Sequence, residues 1–313
     1  MIRALLFILI LFPFFYINGQ TEKVLSITRD SLDLTGTLLL PESSDKGVLV
    51  IITPGSGPVN QDGNMQMMQT SYLKVLAEEL AKEGIASFRY NKRSIALLES
   101  GKINELITFD NFINDLEAWS LQLDSLYPDY EQVLLGHSQG GLVSMVVAAR
   151  DSAPVKGVIS LCGQGYRIDK VLIEQLEPQG PGILKLSRSY LDTLIAGDSI
   201  MQPHLLLKSI FNPQAQYFIK TWLKYDPQEV INEIDIPVLL VAGTKDLQVK
   251  PEQLKALSKE SRIAEYKEIE GMNHVLKDIE GGYQQNLDSY FNEGPLHHML
   301  LPVLTTFIKK EVK

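Results

Sequence analysis

Apolar and polar positions follow two rhythms along this chain. Short runs rich in β-branched residues recur, and between them lie longer stretches in which apolar residues return every three or four positions. The run from Gly47 to Thr53 (GVLVIIT) is apolar almost throughout, as expected of a strand covered on both faces. Val24 to Thr28 and Leu32 to Leu40 read as an opening antiparallel pair. Ile85 to Tyr90, Gln132 to Leu135, Val155 to Leu161, Ile236 to Ala242 and about Ala264 to Ile269 read as further strands. Helical spacing links Tyr72, Val75, Leu76, Leu80 and Ala81 before Gly84 ends the pattern, and it links Phe109, Phe112, Ile113, Leu116, Trp119 and Leu123. A last helix is expected from about His298 to Glu311. Strands alternating with helices predict an α/β fold, a mostly parallel central sheet flanked by helices.

The alternation stops between Gly163 and about Ile234, where no strand-like run occurs. Helical stretches fall instead at about Ile168 to Leu176, Ile183 to Ile195 and Gln214 to Leu223. Residues 163–234 therefore read as a helical cap inserted between two parts of one core, residues 20–162 and 235–313. The loop from Pro54 to Met65 is long for a connection inside such a sheet and rich in glycine and polar residues, a combination usually tied to function.

Composition narrows the classes. The 313 residues are 45% apolar and 21% charged, enough to bury a sizeable core. Acidic residues outnumber basic ones 38 to 29, for a net charge of −9, which disfavours nucleic acid as a partner because that needs a basic face. Cys162 is the only cysteine, so neither an intrachain disulfide nor a thiolate zinc cage can form. Residues 1–19 hold Arg3, an apolar run from Ala4 to Ile17 and then Asn18 and Gly19, the layout of a secretory signal peptide. The run is shorter than the roughly twenty residues of a spanning helix. A periplasmic or secreted protein with no stable membrane span is expected, with a retained N-terminal anchor as the alternative.

The strongest chemical signal is Val133-Leu134-Leu135-Gly136-His137-Ser138-Gln139-Gly140-Gly141, a buried strand entering a Gly-x-Ser-x-Gly turn, followed by the apolar positions Leu142, Val143, Val146 and Val147. A serine on such an elbow stands in a strained conformation with its hydroxyl lifted above the sheet, and glycines two residues to either side relieve clashes across the turn. Over nearly all of the chain after residue 19 the sequence resembles the α/β-hydrolase superfamily. Gly243-Thr244-Lys245-Asp246-Leu247-Gln248-Val249 matches that family's Gly-x-x-Asp-x-x-Val at the triad acid, and Gly271-Met272-Asn273-His274 matches its histidine loop. The resemblance thus implies a triad of Ser138, Asp246 and His274.

The chemistry asks for the same set. A serine hydroxyl is a weak nucleophile until a neutral imidazole takes its proton and a carboxylate orients that imidazole. Of the five histidines, His137 lies in the elbow, His204 in the cap, and His297 and His298 open the last helix, which leaves His274 after a strand. Thr53-Pro54-Gly55-Ser56-Gly57-Pro58 follows a buried strand and is expected beside the elbow, so the amides of Gln139 and Ser56 are assigned to the oxyanion hole, with Gly55 or Gly57 as alternatives to Ser56. The Gly-Ser-Gly-Pro loop and the polar Asn60-Gln61-Asp62-Gly63-Asn64 are similar to those of an esterase-like bacterial branch grouped with serine aminopeptidase-type hydrolases. Arg89-Tyr90-Asn91-Lys92-Arg93 also resembles that branch, but Ser94-Ile95-Ala96 replaces its usual glycines.

Arg93 reads as a loop anchor, and Asp110 and Asp115 as structural carboxylates. No dinucleotide, P-loop, calcium or zinc motif occurs, and the adjacent His297 and His298 diverge on a helix, so no cofactor and no metal is expected. The expected function is a serine carboxylesterase for small to medium acyl esters. One alternative is a serine aminopeptidase-like peptidase that holds a free amine with Asp169, Glu174, Glu177 or Asp192. A binding protein on a hydrolase scaffold is a further alternative.

Overall fold

The computed structural model describes residues 16–17, 20–42 and 47–312. The expected signal peptide, 1–19, lies outside the described residues except for Tyr16–Ile17. Nine strands form one sheet: β1 (Tyr16–Ile17), β2 (Gln20–Arg29), β3 (Leu32–Leu40), β4 (Gly47–Thr53), β5 (Ala86–Tyr90), β6 (Tyr130–His137), β7 (Val155–Leu161), β8 (Val238–Gly243) and β9 (Ala264–Ile269). Their order across the sheet is β1-β2-β3-β5-β4-β6-β7-β8-β9. β1, β2 and β3 run antiparallel to their neighbours, as does β3 against β5, and all later pairings are parallel. Each expected strand is present within a few residues, and β2 begins four residues earlier than its apolar pattern. Its half-exposed alternation hides that start.

The central strands are apolar throughout because both their faces are covered. Leu49 and Ile51 of β4 join one core, packed under the helices Phe109–Leu126 and Gln139–Ala149. Val50 and Ile52, on the opposite face, join a second core beneath Tyr72–Lys82 and Leu300–Glu311. Between β7 and β8 the described chain is helical, with its longest helices at Ile168–Leu176, Pro181–Ile195 and Pro213–Trp222. Two of these start earlier than apolar spacing indicates, because Pro181 and Pro213 occupy the first helical position, where a missing N–H costs nothing. The layer has a small core of its own around Leu176, Leu191, Leu194, Leu207, Phe211 and Ile219.

Strand order positions the site. The chain leaves β4 toward β5 on one side and returns past it to β6 on the other, so a crevice opens beyond the C-terminal ends of β4 and β6. Thr53 pairs with Gly136 in this register. The segments 54–57 and 137–139 therefore leave the sheet side by side.

Candidate active site

Ser138 follows β6 and caps the start of the helix Gln139–Ala149 at φ 52° and ψ −120°. A side chain is disfavoured in this region, and such strain costs roughly 1–3 kcal/mol where it persists. The neighbouring packing enforces it. Ser138 N–H donates to Leu161 O at 2.9 Å, and Gly141 N–H donates to Ser138 O at 2.9 Å. A Cβ on Gly136 would lie 2.0 Å from Gly140 O, and one on Gly140 would lie 2.4 Å from Thr53 O. Both approaches are backbone against backbone, so only glycine lets the elbow sit this close to β4. Ser138 itself remains half-buried and opens on a cavity of about 260 Å³ beneath the helical layer, whose walls include Ile168, Val171, Leu172, Phe218 and Trp222.

His274 lies in the turn after β9 and Asp246 in the turn after β8, at the same edge of the sheet. Both side chains are buried, and His274 Nδ1 stands 2.8 Å from Asp246 Oδ2. A carboxylate accepts at this bond, which assigns the proton to Nδ1 and leaves Nε2 of the neutral ring with its lone pair. Asp246 Oδ1 accepts in addition from the amides of Gln248 at 2.7 Å and Val249 at 2.9 Å. The two turns are tied together: Asn273 Nδ2 donates to Asn286 Oδ1 at 3.0 Å, and Asn286 Nδ2 donates to Lys245 O at 2.6 Å.

His137, in the elbow, is buried. Its Nε2 donates to the backbone oxygen of His274 at 2.7 Å, and its Nδ1 accepts from the Tyr72 hydroxyl at 3.0 Å. Its ring packs edge-on against His274 at 4.7 Å between centroids. Burial, aided by the neighbouring His274, pushes its pKa down to about 3, so it stays neutral and holds its two bonds.

Ser56, Gly57, Ser138 and Gln139 line the same cavity. Among the described residues no group accepts from the amide of Ser56 or that of Gln139, the first residue of its helix. Gly55 packs against the elbow, where a Cβ would lie 3.0 Å from His137 Nδ1 and 3.2 Å from Ser138 Cβ. Ser56, Ser138 and Gln139 thus line one cavity, and the buried Asp246–His274 pair meets the elbow at His137, the residue before Ser138.

Other residues that sequence reading singled out have structural partners. Arg93 opens the helix Arg93–Glu99 and forms two hydrogen bonds with Asp115, at 2.9 and 2.6 Å, plus a contact with Asp30 at 2.8 Å. Asp110 accepts from the Tyr225 hydroxyl at 2.7 Å. His297 and His298 were expected to diverge on the last helix; instead they precede that helix, which begins at Leu300, and so they stack and both face Asp278, with His297 Nε2 turned to Glu270 O and its Nδ1 to the amide of Met299. Lys92, Tyr72 and Asn286 border the site without having been assigned a role. Lys92 stands in the segment Arg89 to Arg93 whose resemblance was noted, but a tyrosine on an apolar helix face and an asparagine in a short polar helix carry no distinguishing pattern.

A family model described as serine aminopeptidase, S33, matches residues 67–212, a span that includes Ser138 and ends before Asp246 and His274. The esterase EstD of Thermotoga maritima is 25% identical over 281 residues, covering 85% of this chain and 63% of that protein. The chain thus spans under two thirds of this curated relative. Among solved structures, Est1E from Butyrivibrio proteoclasticus with ferulic acid bound superposes with a TM-score of 0.59 at 18% identity, covering 92% of this chain and 99% of that one. The Pyrococcus furiosus esterase Pf2001 gives 0.59 at 16% identity, covering 93% and 92%. The esterase domain of a Rhodothermus marinus protein gives 0.59 at 14%, covering 93% and 99%. At these identities the structural matches establish the fold.

Proposed function

We propose that this chain, which belongs to the α/β-hydrolase superfamily, is a serine carboxylesterase acting on small to medium acyl esters. The observation that carries the reading is a strained, half-buried Ser138 opening on a largely apolar cavity beside two unengaged amides. In the mechanism, Ser138 Oγ attacks the ester carbonyl carbon while His274 Nε2 takes its proton. Asp246 holds the imidazole through Nδ1 and stabilises the imidazolium. The carbonyl oxygen gathers negative charge and is met by the amides of Ser56 and Gln139, worth a few kcal/mol in such sites. His274 returns the proton to the departing alcohol oxygen. Water, deprotonated by the same nitrogen, then hydrolyses the acyl-enzyme.

A peptidase would need a carboxylate to grip a free amine. Asp169 is paired with Arg167 at 2.7 Å, Glu174 accepts from Gln253 at 2.8 Å, and Glu177 faces Lys250 at 3.5 Å. Asp192 lines a separate recess, and among the described residues the walls of the Ser138 cavity carry no carboxylate. This favours esters. The segment 163–234 serves as the cap that closes the cavity, and residues 1–19 direct export to the periplasm or medium. No cofactor takes part in the proposed mechanism.

The test is hydrolysis of a graded p-nitrophenyl ester series by the protein lacking residues 1–19, with Ser138→Ala alongside. The expected result is turnover on short and medium acyl chains that falls by at least about 10³-fold in the variant. Aminoacyl anilides cleaved far faster than any ester would overturn the substrate class and leave the nucleophile standing.

A further inference from the structure

Lys92 occupies a place where a lysine costs the fold stability. It follows β5, is 2% exposed, and has no carboxylate partner among the described residues. Its ammonium faces three acceptors from three different segments. They are the backbone oxygen of Gly55 at 2.5 Å, Gln139 Oε1 at 3.4 Å, and the ring of Phe112, whose centroid is 4.7 Å away. Burial pushes its pKa down to about 7. An apolar side chain of equal length would fill the position without that penalty. The contacts explain the choice of residue.

The Gly55 oxygen and the Ser56 N–H belong to one planar trans peptide, in which C=O and N–H point in opposite directions. A donor that captures the oxygen from one side therefore turns the N–H to the other, and Ser56 lines the Ser138 cavity. The second contact holds the side chain of Gln139, whose own amide is the other unengaged donor. We propose that Lys92 is the positioning residue of the oxyanion hole: by gripping Gly55 O it sets the Ser56 amide beside that of Gln139, which the start of its helix fixes. This rests on the esterase reading above. Lys92 does not touch substrate in this scheme. It acts through the peptide that it orients.

The test is Lys92→Met, which keeps the length of the side chain and removes its donors, assayed beside wild type and Ser138→Ala on one p-nitrophenyl ester. The expected result is a kcat about 100-fold lower with KM within about threefold, the scale of losing one oxyanion donor. Full kcat in a folded variant would overturn the inference and leave the esterase reading intact. No Ser138-dependent turnover in wild type would remove both. Should Lys92→Met fail to fold, wild-type protein labelled with ¹³C at lysine Cε gives a second reading. Phosphonylation of Ser138, with loss of fluoride from a fluorophosphonate, places a tetrahedral phosphonyl oxygen in the hole and should shift the Lys92 signal, and an unmoved signal would overturn the inference.

Discussion

Ser138 holds a backbone shape that glycine adopts freely and serine does not, at φ 52° and ψ −120°. Ser138→Gly should therefore raise the free energy of unfolding in urea by about 1 kcal/mol while turnover vanishes, separating strain from chemistry at one position. His137 makes a second prediction. Its folded pKa of about 3 lies below an unfolded value near 6.5, so the unfolded chain binds the extra proton between those limits. This residue's contribution to stability is complete above about pH 6.5 and is lost as pH falls toward 3, with a slope of up to about 1.4 kcal/mol per pH unit. Urea midpoints measured from pH 7 to 4 on wild type and His137→Gln should show that one-proton difference in slope. Ser138, Asp246 and His274 were legible because each sits in a short pattern tied to a strand end. Lys92 and Tyr72 were not, since what marks them is burial and partner atoms from distant segments.

At the level of elements, close backbone approach governs the elbow. A methyl on Gly140 would press on Thr53 O at 2.4 Å, so Gly140→Ala should cost about 3 kcal/mol or more, read as a lowered urea midpoint. The helix Tyr283–Ser289 (YQQNLDS) has no apolar stripe and was invisible to periodicity. It is placed by Asn286, which bridges the histidine and acid turns. Asn286→Ala should lower kcat about tenfold, the equivalent of 1.4 kcal/mol, with KM nearly unchanged, because the His274–Asp246 pair loses its brace. Arg93–Glu99 escaped notice for a related reason. Seven residues do not sustain a helix alone, and this one is fixed by the buried Arg93–Asp115 pair. The parallel strands were readable because burial on both faces writes an unbroken apolar run.

Over the whole molecule, two layers meet at the cavity: a sheet whose cores are continuous with its helices, and a helical layer with its own small core. The walls contributed by Ile168, Val171, Leu172, Phe218 and Trp222 leave about 260 Å³ beside Ser138, and a neighbouring recess of about 270 Å³ shares Gly57, Gln139 and Phe218 with it. Val171→Phe should shift the best acyl chain of the p-nitrophenyl series to a shorter one without altering the Ser138 chemistry. The succession of strands and the helical interruption were readable along the chain. The cavity was not, because its walls come from segments that only tertiary packing brings together. The central claim is that Ser138 is the nucleophile, and the direct measurement is labelling with a fluorophosphonate followed by peptide mass mapping. A single adduct on Ser138, formed in step with the loss of ester hydrolysis and absent from His274→Ala, is the predicted result. An adduct on another residue, or full activity in protein labelled at Ser138, would contradict it.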